Sequence, residues 1–195
     1  MSHHIYHTRG VILGSQSQGE SNRFYKIFTE ELGLVGASAQ SVREGKSKLR
    51  YTLQDLSLVT VDLVRGKEVW RIVSAGAWNP LDKIKSDPYR TKILMRYFLF
   101  LSRFLQGEGR DQELFAEIIG AVEFLEKGNF PDNLALSFET LTTMRALAHL
   151  GYMDREEYEP FLMVGIYSRE ILEQFETVRP QALPRINEAL SASHL

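Results

Sequence analysis

Near Trp78-Asn79-Pro80 the apolar residues of this chain change their period, and that switch restricts it to folds with a sheet part followed by a helical part. Ahead of it, short runs rich in Val, Leu, Thr and aromatics are separated by glycines, which predicts strands over 6–15, 23–30, 34–41, 55–64 and 69–77. Gly19 and Leu32-Gly33 mark the first two turns, and Arg65-Gly66-Lys67 marks a tight hairpin in which Gly66 supplies a positive φ. The third connection is longer, from Val42 to about Gln54. Its KLRYTL can form a helical turn with Leu49 and Leu53 on one side.

Behind the switch the apolar spacing is helical. Asp87-Pro88 combines a capping side chain with a proline at the first helical position. From there Ile93, Tyr97, Leu101 and Leu105 recur every four residues. A second helix is predicted from Asp111 to Gly128 and a third over 134–150, stopped by Gly151. Shorter helices are expected over 155–163, 168–176 and 184–193. The expectation is an α+β chain of two domains, a five-stranded domain at 1–78 and an all-helical domain at 79–195. Five short strands with the long connection between the third and fourth is the element order of an OB-fold barrel, although a generic five-stranded sheet would give the same string.

Charge divides at the same place. Residues 1–78 hold ten Lys/Arg against seven Asp/Glu, and residues 79–195 hold thirteen against eighteen. A basic front and an acidic back suggest modules with different partners. The chain has no cysteine, so neither disulfides nor thiolate metal sites are open to it. No uncharged stretch approaches the roughly 20 apolar residues of a membrane span, and the N-terminus has no signal-peptide core. A cytoplasmic protein is expected.

Catalytic signatures are missing. There is no G-x-S-x-G elbow, no Walker loop and no H-E-x-x-H. GEGRDQ at 107–112 lacks the third glycine of a dinucleotide fingerprint and follows a helix. His3, His4 and His7 sit together near the N-terminus, and His149 suits the negative end of the third helix. No catalytic residue, cofactor or metal is expected.

The feature that remains is the cationic run QSVREGKSKLRYTL over 40–53. Arg43, Lys46, Lys48 and Arg50 fall within eight positions, opposed only by Glu44. Such a run often does no more than solvate a loop. Here Ser47 adds a hydroxyl that can donate to phosphate, and Tyr51 adds a ring on which a base can stack. Arg9, Arg23, Lys26 and Arg71 supply further charge on the strands, with Phe24, Tyr25 and Trp70 interleaved. Basic strips with aromatic rings on a small barrel hold single strands through backbone charge and base stacking. The alternative is a protein-interaction adaptor that binds no nucleic acid.

GVIL, GES, IFTEELGLV and the R-E-G-K-S-K-L-R-Y-T-L-Q stretch resemble the N-terminal barrel of the RecO recombination mediators of bacterial DNA repair. ELFAEIIGAVEFLE and FETLTTMRALAHLGY are similar to that family's helical domain. The resemblance implies an OB barrel that binds single- and double-stranded DNA and anneals complementary strands. It further implies help from RecR in replacing single-strand-binding protein by the RecA recombinase, at the nucleoid. By resemblance Arg43, Lys46, Lys48 and Arg50 would be the first DNA contacts, Arg23 the next, with Ser47 donating to phosphate. Many family members carry four zinc-binding cysteines after Leu-Gly-Tyr. This chain reads MDREEYEPFLMVG there, which implies a shortened helical domain without zinc.

Overall fold

Residues 4–127 and 131–192 are described by the structure, a computed structural model. The chain forms two compact units, Met1–Leu81 with Phe104–Gln112, and Asp82–Arg103 with Glu113–Leu195.

The first unit is a closed barrel. Its strands are β1 (Ile5–Gln18), β2 (Asn22–Thr29), β3 (Gly33–Ala39), β4 (Leu58–Arg65) and β5 (Trp70–Asn79). They follow one another around the wall in the order β1-β2-β3-β5-β4, and β4 pairs back onto β1. All pairings are antiparallel except β3 with β5, where Ala37 faces Trp70 and Ser38 faces Arg71. That cyclic order, with the single turn α1 (Leu49–Thr52) between β3 and β4, is an OB-fold, and the generic open sheet is excluded by the closure. Alternate residues turn inward, so Tyr25 and Ile27 meet Val35, Ala37, Val61, Leu63 and Ile72 in the core. A register shift between Ile12 and Gly14 bends β1, which is long enough to pair with both β2 and β4. β1 therefore runs on to Gln18, and β4 starts only at Leu58 because Leu56 turns the chain at φ 60°.

Two glycines behave differently from each other. Gly33 does adopt a positive φ, 68°, and any Cβ there would sit 2.2 Å from the Gly109 carbonyl oxygen. Gly66 does not: the positive φ expected of it is absent, and the β4–β5 connection spans four residues. Its N–H donates to the Val69 carbonyl at 3.1 Å, and a Cβ would meet that carbonyl oxygen at 2.3 Å. Close backbone approach, not handedness, demands glycine at this turn.

Residues 104–112 strap the barrel. The Gly109 N–H donates to the Leu32 carbonyl at 3.1 Å, and Glu108 bridges to Gly33. Trp70 Nε1 donates to Glu108 at 3.0 Å, while the Arg65 guanidinium pairs with the same carboxylate and lies 4.9 Å over the Trp70 ring.

The second unit is helical: α2 (Asp82–Ser86), α3 (Pro88–Phe104), α4 (Gln112–Glu126), α5 (Ala135–His149) and α6 (Arg169–Ala192). Asp87 caps α3, accepting from the Tyr89 N–H at 2.9 Å. α2 escaped the apolar pattern because it is short; the Glu126 carboxylate holds its Lys83 and Ile84 N–H groups. α5 ends in a Schellman motif, with Gly151 at φ 80° and the Tyr152 N–H donating to the Leu147 carbonyl. The helix expected over 155–163 is instead a 3-10 segment, Glu156–Phe161, broken at Tyr158 and containing Pro160. The two helices expected over 168–176 and 184–193 are one, α6, which runs through Pro180 and Pro184. Leu172, Phe175, Ala182, Ile186 and Ala189 are buried along it, and that packing outweighs the lost backbone bonds. Gly128, His3 and Ser193 lie outside the described residues.

A buried ion pair fixes the connection before α6. Glu117 and Arg145 are 2% and 3% exposed. Glu117 accepts from the Gly165 N–H at 2.6 Å and from the Tyr167 hydroxyl. Arg145 donates to the carbonyls of Phe161 at 2.6 Å and Ile166 at 2.9 Å, and stands 3.6 Å from Glu117. Burial pushes the Tyr97 and Tyr167 phenols well up, reinforced by the Glu117 charge.

Candidate nucleic-acid interface

The connection from β3 to β4 is tethered at both ends and free between. At its start, the Arg43 N–H donates to the Ser21 carbonyl at 3.0 Å, and the Ser41 N–H to Asn22 at 3.0 Å. Val42 and Leu53 are buried in the barrel core, with Leu49 packed against them. Val42 is an anchor that the sequence pattern, which pairs only Leu49 and Leu53 on α1, does not reveal. Between the anchors Arg43, Lys46, Lys48 and Arg50 are exposed and Ser47 half-buried. Among the described residues no carboxylate pairs with any of the four cations, although Glu44 lies within the run.

Three arginines converge. Arg23 at the start of β2, Arg43, and Arg50 on α1 line one polar recess of about 280 Å³, with Tyr25 and Val42 as its apolar wall. Arg43 is steadied there by donating to the Gly19 carbonyl at 3.3 Å. The Arg23 Nε is buried and has no hydrogen-bond partner among the described residues. The Tyr25 hydroxyl donates to the Leu53 carbonyl at 3.3 Å; burial raises its phenol, and the charge of Arg23 works against that rise.

The aromatic residues separate sharply. Tyr51, on α1, is 72% exposed. Tyr25 and Trp70, interleaved with the strand cations in sequence, are core residues, and neither ring is open to a base. Phe24 lies on the outer face, its ring filling the space a Cβ on Gly36 would take.

The other cations fall into two places. Lys26 faces outward beside Phe24, because successive strand residues alternate and Tyr25 faces in. Arg71 is exposed on β5 and donates to Gln40 at 3.4 Å, beside the start of the loop. Arg9 is not brought to the loop. Its guanidinium grips Glu30 through Nε at 2.7 Å and lies 4.5 Å over the Trp78 ring. That hydrogen bond holds the Glu30 carboxyl below its ordinary value and raises Arg9.

Among the described residues no cluster of three or more metal-ligating side chains occurs, and no helix is long and apolar enough to cross a membrane. His7 instead pairs with Asp62 at 2.6 Å.

A closed OB barrel with an unpaired cationic loop, continued into a helical unit, defines the class. Residues 1–80 match the family model described as Recombination protein O N terminal. Over that segment the chain is similar to the RecO family, and the likeness continues along most of its length. A protein of Phocaeicola vulgatus called DNA repair protein RecO is 27% identical over 177 residues, covering 89% of this chain and 70% of its own length. Proteins of the same name from Dehalococcoides mccartyi and Clostridium novyi are 27% and 29% identical, each over 76% of this chain and 57% of their own. The chain thus spans little more than half the length of several of these relatives.

Proposed function

We propose that this chain acts in DNA repair and recombination as a non-catalytic DNA-binding mediator, with the barrel as its DNA-binding module. One observation carries the reading: five cations, Arg23, Arg43, Lys46, Lys48 and Arg50, gather on one side of an OB barrel without a carboxylate partner among the described residues. Unpaired cations repel one another, and a polyanion relieves that repulsion while releasing its own counterions. A single strand would cross the loop with a base stacked on Tyr51 and continue over the outer face that carries Phe24, Lys26 and Arg71. Ser47 would donate to a phosphate there. Arg9 has no part in this path, being occupied by Glu30.

Annealing follows from the same charge. Neutralised phosphates let two strands approach, and bases held by stacking remain open for pairing. Both single- and double-stranded DNA are substrates in this reading, because backbone charge is common to both. The relatives' shared name, DNA repair protein RecO, supports placing the activity in repair. RecR, single-strand-binding protein and, through them, RecA are the partners the family reading adds.

The test is a titration with a long single-stranded oligonucleotide at about 50 mM salt, followed by annealing of its complement. The wild type should bind and accelerate annealing, and the variant with Arg43, Lys46, Lys48 and Arg50 all changed to Ala should bind far more weakly and no longer accelerate annealing. Equal binding by the two proteins would remove the loop from the interface.

A further inference from the structure

We propose that Arg23, Arg43 and Arg50 form a seat for a single phosphate group, a discrete site set into the broader charged surface. This rests on the DNA-binding reading and narrows it from diffuse attraction to one fixed contact.

The three guanidiniums come from separate segments, β2, the residue following Val42, and α1, yet they line the same recess. Nothing anionic pairs with any of them among the described residues. Holding three like charges together is unfavourable unless an anion joins them, and the arrangement is not a by-product of a mobile loop. Arg43 is fixed through its backbone N–H and its side chain onto Ser21 and Gly19, and Val42 beside it is 1% exposed.

Arg23 supplies the second, independent sign. A buried donor is normally paired, because leaving it unpaired forfeits its hydration without compensation. Its Nε has no protein partner and belongs to a side chain lining the recess. Nε is enclosed as the side chain lies, so a small turn of the guanidinium toward the recess would bring it an oxygen to pair with.

The recess also suits the size and shape of the ligand. Its volume of about 280 Å³ far exceeds the roughly 30 Å³ of one water. A tetrahedral anion fits with room for waters. Each guanidinium presents a planar fork of donors that matches two phosphate oxygens, which an ammonium group cannot do. Lys46 and Lys48, outside this recess lining, act only as point charges.

The phosphate can come from within a strand, as a singly charged diester, or from a strand end, as a monoester of nearly twice that charge at neutral pH. The experiment uses the whole chain and separates these sources. Inorganic phosphate is titrated against chloride at matched ionic strength, followed through the arginine Nε–H resonances. Phosphate should saturate and chloride should not. Arg23→Gln should raise the half-saturating phosphate concentration about tenfold, whereas Lys48→Gln, an equal loss of charge, should raise it less than about twofold. Arg23→Lys should restore little, because the charge returns without the fork.

Oligonucleotides with and without a 5′ phosphate form the second arm. A preference for the phosphorylated strand that Arg23→Gln abolishes assigns the seat to strand ends. Equal weakening of both strands assigns it to interior phosphates. Phosphate acting no better than chloride, or equal effects of the Arg23 and Lys48 substitutions, overturns the seat. If strands still bind in that event, the DNA-binding reading survives; if none binds, that reading falls as well. Should Arg23→Gln not fold, Arg50→Gln, on the exposed side of α1, carries the same expectation.

Discussion

Replacing Arg145 with Met should destabilise the helical unit by an amount that the geometry around it sets. The substitution roughly keeps the side-chain volume but removes two charge-assisted bonds, to the carbonyls of Phe161 and Ile166, and the 3.6 Å approach to Glu117. Glu117 would keep its bonds from the Gly165 N–H and the Tyr167 hydroxyl, but as an uncompensated charge only 2% exposed. Breaking a buried pair on one side costs about 3–5 kcal/mol. For a unit of this size that is a fall in Tm of at least about 12 °C. The double variant Arg145→Met with Glu117→Gln should lose less than the sum of its parts, with a coupling of about 1–3 kcal/mol. Urea unfolding followed by far-UV circular dichroism reports the helices. Tryptophan fluorescence reports the barrel separately, since Trp70 and Trp78 both lie in the first unit. A single variant within about 1 kcal/mol of wild type would show that the pair does not hold the 161–167 connection.

Single-strand affinity should fall with salt at a log–log slope near -3.5 if all five cations meet phosphates, about 0.7 for each. The fourfold loop variant should flatten it to about -0.7, measured by fluorescence anisotropy. Tyr51→Ala should weaken the same complex by about 1–3 kcal/mol, with Tyr51→Phe close to wild type; equal losses would show that the ring does not stack. Gly33→Ala should cost more than about 2 kcal/mol, since it meets both a φ of 68° and the Gly109 backbone, and denaturant melts measure it. The folded-state pKa of Glu30 lies below its ordinary value of 4.5, so its pair with Arg9 contributes stability at pH values above 4.5 and loses it as pH falls through the lower folded value. The partly exposed pair contributes under about 1 kcal/mol. Glu30→Gln should therefore lower stability slightly at pH 7 and make it less steep between about pH 5 and 3; an unchanged acid slope refutes the linkage.

The strands of the first unit were legible from their largely alternating apolar residues, although their closure into a barrel was not. Tyr25, Ile27, Val35, Ala37, Val61 and Leu63 fall on one face, and a two-residue period marks that face as the buried one. The helical stop at Gly151 was legible for a similar local reason. What escaped were features decided by distant contacts. Pro180 and Pro184 read as breaks, yet the buried face from Leu172 to Ala189 carries α6 through both. The cations of the loop could be counted from sequence, but not sorted. Only the folded chain shows that Arg23 joins Arg43 and Arg50, that Lys26 turns to the outer face, and that Arg9 is taken by Glu30. Composition does not reveal which side of a strand is wet, so the sequence could not sort exposed Tyr51 from Tyr25 and Trp70, which serve the core.

The strap of residues 104–112 makes the family's N-terminal segment an incomplete folding unit in this chain. A fragment cut after Pro80 would carry every strand, yet it would lose Glu108 from Trp70 and Arg65, and Gly109 from the β2–β3 turn. Evolution could not swap the barrel onto another partner as a simple N-terminal cassette without also moving nine residues that are separated from it in sequence by α2 and most of α3.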